Sequence, residues 1–241
     1  MVADNALPER IQYRYTFRFA DGAEKQFEVN LNAATLELVP AAQAPKPDWT
    51  KLAYHQCERC PLADTVAHCP IAVNLSSLVE SFKDSLSFEG TTVTVQTHQR
   101  TYTKQTTLQQ GLSSIIGIYM VTSGCPVMDR LRPNVRFHLP FASGEETIYR
   151  AVSMYLTAQY FRMRRGEMPD WTLEHLAEVY KGVWLVNKGI TQRLADASSK
   201  DANVNAVIVL SMFGSNLDDY LEDSLKEIEP LFSDHTKPVQ P

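Results

Sequence analysis

The chain contains no apolar run approaching the ~20 residues that a membrane-spanning helix needs, so no transmembrane segment is expected. Residues 1–8 show no basic stretch leading into an apolar one, so no secretory signal is expected either, and a cytoplasmic location follows by default. There is no excess of positive charge. The formal net charge is −5, which supplies no global attraction to nucleic acid or to an anionic bilayer. Glycine is sparse, ten residues in all, and no Gly-rich phosphate loop, Gly-x-Ser-x-Gly elbow or His-Glu-x-x-His helix occurs. Glu-x-x-His is absent as well, which excludes the carboxylate-bridged di-iron bundle. No internal repeat is evident. Whether the chain catalyses anything, and which protein partner it has, are left open by these absences.

Cysteine is also scarce, and its placement is the most specific feature present. The four residues are Cys57, Cys60, Cys69 and Cys125. The first two form a C-x2-C pair, the third follows nine positions later, and the fourth sits in Ser123-Gly124-Cys125-Pro126. In a reducing compartment such a grouping points to metal ligation rather than disulfides. A tight C-x2-C turn points two sulfurs at one ion, and Cys69 can return on the same loop. Cys125 can arrive only through tertiary folding. It is placed between a helix end and a proline expected to open the next helix, where backbone N–H groups favour a thiolate.

Two kinds of centre satisfy this spacing. Zinc accepts four thiolates, or Cys57, Cys60 and Cys69 completed by His55 or His68. A [4Fe-4S] cluster accepts three grouped cysteines and one remote cysteine, and Pro61, Pro70 and Pro126 directly after a cysteine suit that reading. The functions that follow are a structural site in a binding or regulatory module, a redox or electron-transfer protein, or a metalloenzyme with an open coordination position. The bland alternative is four unligated thiols in turns and core.

Periodicity predicts an α+β fold. Ile11, Tyr13, Tyr15, Phe17 and Phe19 alternate with polar residues, Asp21-Gly22 marks a turn, and Phe27, Val29 and Leu31 return. Leu36 and Leu38 suggest a third short strand, Val93 and Val95 a further one, and Tyr102 its partner. Three prolines in the 40–50 connector argue against helix there. Ser77 with Glu80 predicts a capping box opening a helix near 74–77 that runs to about Leu86. From Leu108 the period becomes 3.6, with Leu112, Ile115, Ile116, Tyr119 and Met120 on one face. Ser143 and Glu146 predict another capping box, and further helices are expected over 143–165, 172–198 and 203–225. The expected organisation is a β-rich region over 1–105 carrying the cysteine loop, an antiparallel helical bundle over 106–232, and a disordered tail over 233–241, with the first two either separate or joined as one cooperative domain.

The remaining candidates carry bland readings. Arg136 and His138 share a side if 136–140 is a strand, and could then stand around the metal behind its ligands. A structural histidine is the simpler account. Arg162, Arg164 and Arg165 suit a helix C-terminus. Tyr155, Tyr160, Tyr180 and Trp184 read as core.

Three segments, 55–62 (His55-Gln56-Cys57-Glu58-Arg59-Cys60-Pro61-Leu62), 106–126 (including Gly111-Leu112-Ser113-Ser114 and Ser123-Gly124-Cys125-Pro126) and 136–140 (Arg136-Phe137-His138-Leu139-Pro140), resemble a family of uncharacterised bacterial proteins, with the likeness extending over nearly the whole chain. The resemblance implies a bacterial cytoplasmic protein and transfers no activity and no catalytic residue.

Overall fold

A computed structural model describes residues 9–39, 46–62, 66–211 and 217–233. The fold is α+β. Four antiparallel strands form one sheet: β1 (Arg10–Phe19), β2 (Glu24–Asn32), β3 (Gly90–Gln96) and β4 (Thr101–Thr107), in the order β2-β1-β3-β4. Seven α-helices occur among the described residues: α1 (Pro70–Phe82), α2 (Leu108–Val121), α3 (Pro133–Arg136), α4 (Gly144–Arg164), α5 (Glu174–Ala197), α6 (Ala202–Leu210) and α7 (Leu217–Ile228). Short 3-10 turns cover Asp48–Thr50, Met128–Leu131 and Glu229–Phe232. Among the described residues no helix is long and apolar enough to cross a membrane.

The alternation in β1 produces a two-faced sheet. Tyr13, Tyr15 and Phe17 are buried, and they pair across the strands with Val29, Val95 and Val93. Arg14 and Arg18 point the other way and meet Glu28 and Glu24 across the β1–β2 ladder at 2.8 and 2.6 Å. The buried face is covered by α1 through Ile71, Leu75, Leu78 and Phe82 and by α2 through Leu108, Leu112, Ile115 and Ile116.

The chain divides into two compact units. One runs through Phe141 and takes in Leu185–Ser211; the other comprises Ala142–Trp184 and the described residues from 217 onward. In the second unit α4 packs against α7, and Tyr149 stacks on Phe232. Its entry turn is the expected capping box: Ser143 Oγ accepts from the Glu146 N–H, and Glu146 Oε2 accepts from the Ser143 N–H at 2.8 Å.

Several local expectations are corrected. Helix α1 begins at Pro70, with Cys69 as its N-cap, and Ser77 lies inside it. Proline at the first helical position has φ already set and needs no N–H partner, which outweighs the Ser77-x-x-Glu80 signal. Leu36 and Leu38 form no strand. Asn32 Oδ1 accepts from the Ala34 and Thr35 N–H groups, Leu36 adopts φ +58°, and only an isolated bridge joins Leu38 to Leu31. The 136–140 segment is not extended. Pro133 opens the short helix α3, and the His138 N–H donates to the Val135 carbonyl at 3.1 Å, so Arg136 and His138 do not share a strand face. The helix expected over 203–225 is two helices, α6 and α7. The connector places a 3-10 turn directly after Pro47; its residues 40–45 lie outside the described residues, as does the expected tail from 234 onward.

Candidate metal centre

The cysteine loop is closed by a clasp at its base. The Cys69 N–H donates to the Thr50 carbonyl at 2.8 Å and the Leu52 N–H to the Ala67 carbonyl at 3.0 Å, bracketing an isolated bridge between Lys51 and His68. Thr50 is fully buried. Its Oγ1 donates to the Pro47 carbonyl and meets His68 Nδ1 at 2.8 Å. Within the loop the Cys60 N–H donates to the Cys57 carbonyl at 3.0 Å, the tight turn that a C-x2-C pair requires.

One face of α5 receives this loop. Gly189, Arg193 and Asp196 are spaced four and three apart and so line up along the helix. A Cβ at position 189 would lie 2.9 Å from Cys57 Sγ and 3.3 Å from the His55 carbonyl oxygen. Glycine is what lets the loop lie against the helix there. Arg193, only 1% exposed, donates from Nη1 to the Trp49 and Lys51 carbonyls at 2.7 Å each and from Nη2 to the Leu52 carbonyl at 2.8 Å. Asp196 Oδ2 accepts from Tyr54 Oη and bonds His55 Nε2, both at 2.8 Å. Those two bonds, His55 first, hold the Asp196 carboxyl below its ordinary range.

Cys69 is 7% exposed and Cys125 6%, whereas Cys57 and Cys60 are half-buried. Beyond α2, Gly124 takes φ +84°, a conformation that side chains disfavour, and turns the chain so that the 3-10 turn at Met128–Leu131 follows. Burial pushes the Cys125 thiol up, and the Met128 and Val127 N–H groups directed at its sulfur pull it partly back. Cys57 is pushed up to about 12, first by burial and then by the proximity of Cys69, Cys60 and Cys125, with Arg193 opposing. All four cysteines are thus electrostatic neighbours, including the remote one. They are neighbours without being a formed ligand set: among the described residues no three His, Cys, Asp or Glu side chains stand so as to hold a metal ion. Protonated thiols have no reason to crowd one point, and each sulfur sits on a single side-chain torsion with three staggered positions.

The histidines are engaged elsewhere. His55 bonds Asp196 and His68 bonds Thr50. His138 lies on Tyr15, with Nε2 2.7 Å from the phenol oxygen and 3.3 Å from Ser114 Oγ, and the phenol is 2.9 Å from Ser114 Oγ. Burial raises the Tyr15 phenol far above its ordinary range, so it stays neutral and can donate. This network ties the segment after α3 to the sheet. Sequence reading missed Tyr15 and Ser114 as partners of His138, and it missed Gly189, Arg193 and Asp196. The available signal was an arginine on the apolar face of α5, following Val186 and Ile190 at helical spacing.

Gly189→Val should force the loop away from α5. Overpacking of this kind costs ~1–3 kcal/mol, and limited proteolysis should then cut within residues 54–60 faster than in the parent. Gly189→Ala should be milder, because the Cys57 sulfur can swing aside.

No curated protein and no solved structure matches the chain. A domain of unknown function, DUF6901, matches residues 11–233, a span that takes in all four cysteines and the whole of α5, and the chain therefore belongs to the DUF6901 family.

Proposed function

We propose that this chain is a cytoplasmic metal-binding protein in which Cys57, Cys60, Cys69 and Cys125 hold one zinc ion, with a structural role in a binding or regulatory module. The observation that carries the reading is the mutual electrostatic influence of the thiols: Cys57 feels Cys69, Cys60 and Cys125, and Cys125 feels Cys69 and Cys60. Free thiols gain nothing from such proximity. Four thiolates do, once a divalent cation offsets their charge. The histidines do not separate four thiols from a histidine-completed set: His55 Nε2 bonds Asp196 and His68 Nδ1 meets Thr50, and a metal-bound histidine ordinarily holds such a partner on its other ring nitrogen. Ligation would require side-chain rotation, release of the thiol protons and fastening of the loop to both helices.

A [4Fe-4S] cluster is the second reading. It is favoured by Pro61, Pro70 and Pro126 after three of the cysteines and by the two N–H groups on the Cys125 sulfur, since hydrogen bonds to sulfur tune such clusters.

Anaerobic purification followed by elemental analysis tests both. About one zinc per chain in a colourless protein is the expected result for a structural site. A brown protein with thiolate-to-iron absorbance near ~400 nm selects the cluster. Finding neither iron nor zinc overturns both. Cys57→Ser and Cys60→Ser should each lose the metal and open residues 50–75 to protease.

A further inference from the structure

Arg193 is the strongest unexplained feature outside the thiols. It is among the largest fully buried side chains, at 1% exposure. A buried guanidinium is ordinarily paired with a carboxylate, because an isolated charge in the interior is costly. Among the described residues no carboxylate pairs with it: its partners are the carbonyls of Trp49, Lys51 and Leu52, all neutral, and its Nε has none. The three carbonyls account for its hydrogen bonds, and Asp196, three residues on along the same face, bonds Tyr54 and His55 instead, so no carboxylate bond answers its charge.

The answer lies one helical turn away. Gly189, four residues before Arg193 on the same face of α5, abuts the Cys57 sulfur. We infer that Arg193 is the counter-cation of the thiolate centre: its fixed charge, as distinct from its hydrogen bonds, makes a buried anionic cysteine set tolerable. This rests on the metal-centre reading above. Four thiolates around a divalent ion carry a net double negative charge, and a guanidinium cation offsets part of it. Arg193 is therefore a positioning residue that acts on the site in two separable ways. Its carbonyl bonds shape the loop, and its charge sets how tightly thiolates are held.

The two roles part in a pair of variants of the full chain. Arg193→Lys keeps the charge and loses the three-way fork; Arg193→Gln loses the charge. Zinc dissociation constants are measured by chelator competition on reduced, zinc-loaded protein, and thermal midpoints on the metal-free protein. Both variants should lower the metal-free midpoint. Zinc binding should weaken ~10–100-fold in Arg193→Gln, the range typical of residues supporting a metal site, and clearly less in Arg193→Lys. Unchanged affinity in Arg193→Gln, or equal weakening in both, overturns the charge role while leaving the metal centre intact. If Arg193→Gln fails to fold, Arg193→Lys decides: retained affinity supports the role, and a loss of ~10-fold or more overturns it. A parent protein that takes up no zinc overturns this inference together with the metal reading, an outcome separate from the variant results.

Discussion

Cys125→Ser is expected to weaken zinc binding by at least ~100-fold, beyond the ~10–100-fold cost of losing a group that merely supports a ligand. Cys125 is the one cysteine that neither the loop nor the start of α1 supplies; it stands on the turn that follows α2. Its sulfur is met by two backbone N–H groups and lies within electrostatic reach of Cys60 and Cys69. A hydroxyl there is a poor zinc ligand at neutral pH, because it keeps its proton where a thiol gives it up. The remaining three sulfurs would have to recruit water, or the ring nitrogen of His55 or His68 that Asp196 or Thr50 does not hold. Chelator competition reads the affinity directly. Undiminished zinc content and affinity in this variant would reduce the site to a local loop staple.

Phe82→Ala is expected to destabilise the sheet-bearing unit by ~3–5 kcal/mol, the usual cost of emptying a buried aromatic position, and to lower the thermal midpoint by on the order of 10 °C. Phe82 closes α1 and is fully buried. Its ring meets Phe17 at 5.3 Å and Phe27 at 5.5 Å, and Lys25 Nζ lies 4.5 Å above it while donating to the neighbouring Ser81 carbonyl. Those contacts fasten the far end of the helix whose first end is capped by Cys69. The loss should appear as lower stability of the fold, with zinc affinity of the still-folded molecules little changed, because the cavity lies at the opposite end of α1 from the cysteine. Thermal unfolding and chelator competition on the same sample separate the two quantities. A large loss of affinity without loss of stability would show that α1 transmits strain to Cys69.

Much of the molecule was readable from local pattern. The β1–β2 hairpin follows from strict alternation around Asp21-Gly22, α2 from its 3.6-residue stripe, and α4 from the reciprocal Ser143–Glu146 bonds. Each is a short-range rule with a strong energetic preference behind it. The errors arose where two local rules competed. Pro70 and Ser77 both signal a helix start, and the proline won because the apolar positions Ile71, Leu75, Leu78 and Phe82 already fit a helix from 70 onward. Pro133 likewise opened a helical turn where 136–140 had suggested a strand.

The cysteines mark the boundary between the two kinds of information. The C-x2-C pair and Cys69 are grouped by chain proximity alone, so their association was written in the spacing. Where Cys125 lies relative to them depends on how α2 lies over the sheet. The seating of Arg193 on the loop carbonyls depends on which face of α5 meets the loop. Neither follows from any local preference. Both are settled by the burial of apolar surface, which places distant segments side by side without regard to their separation along the chain.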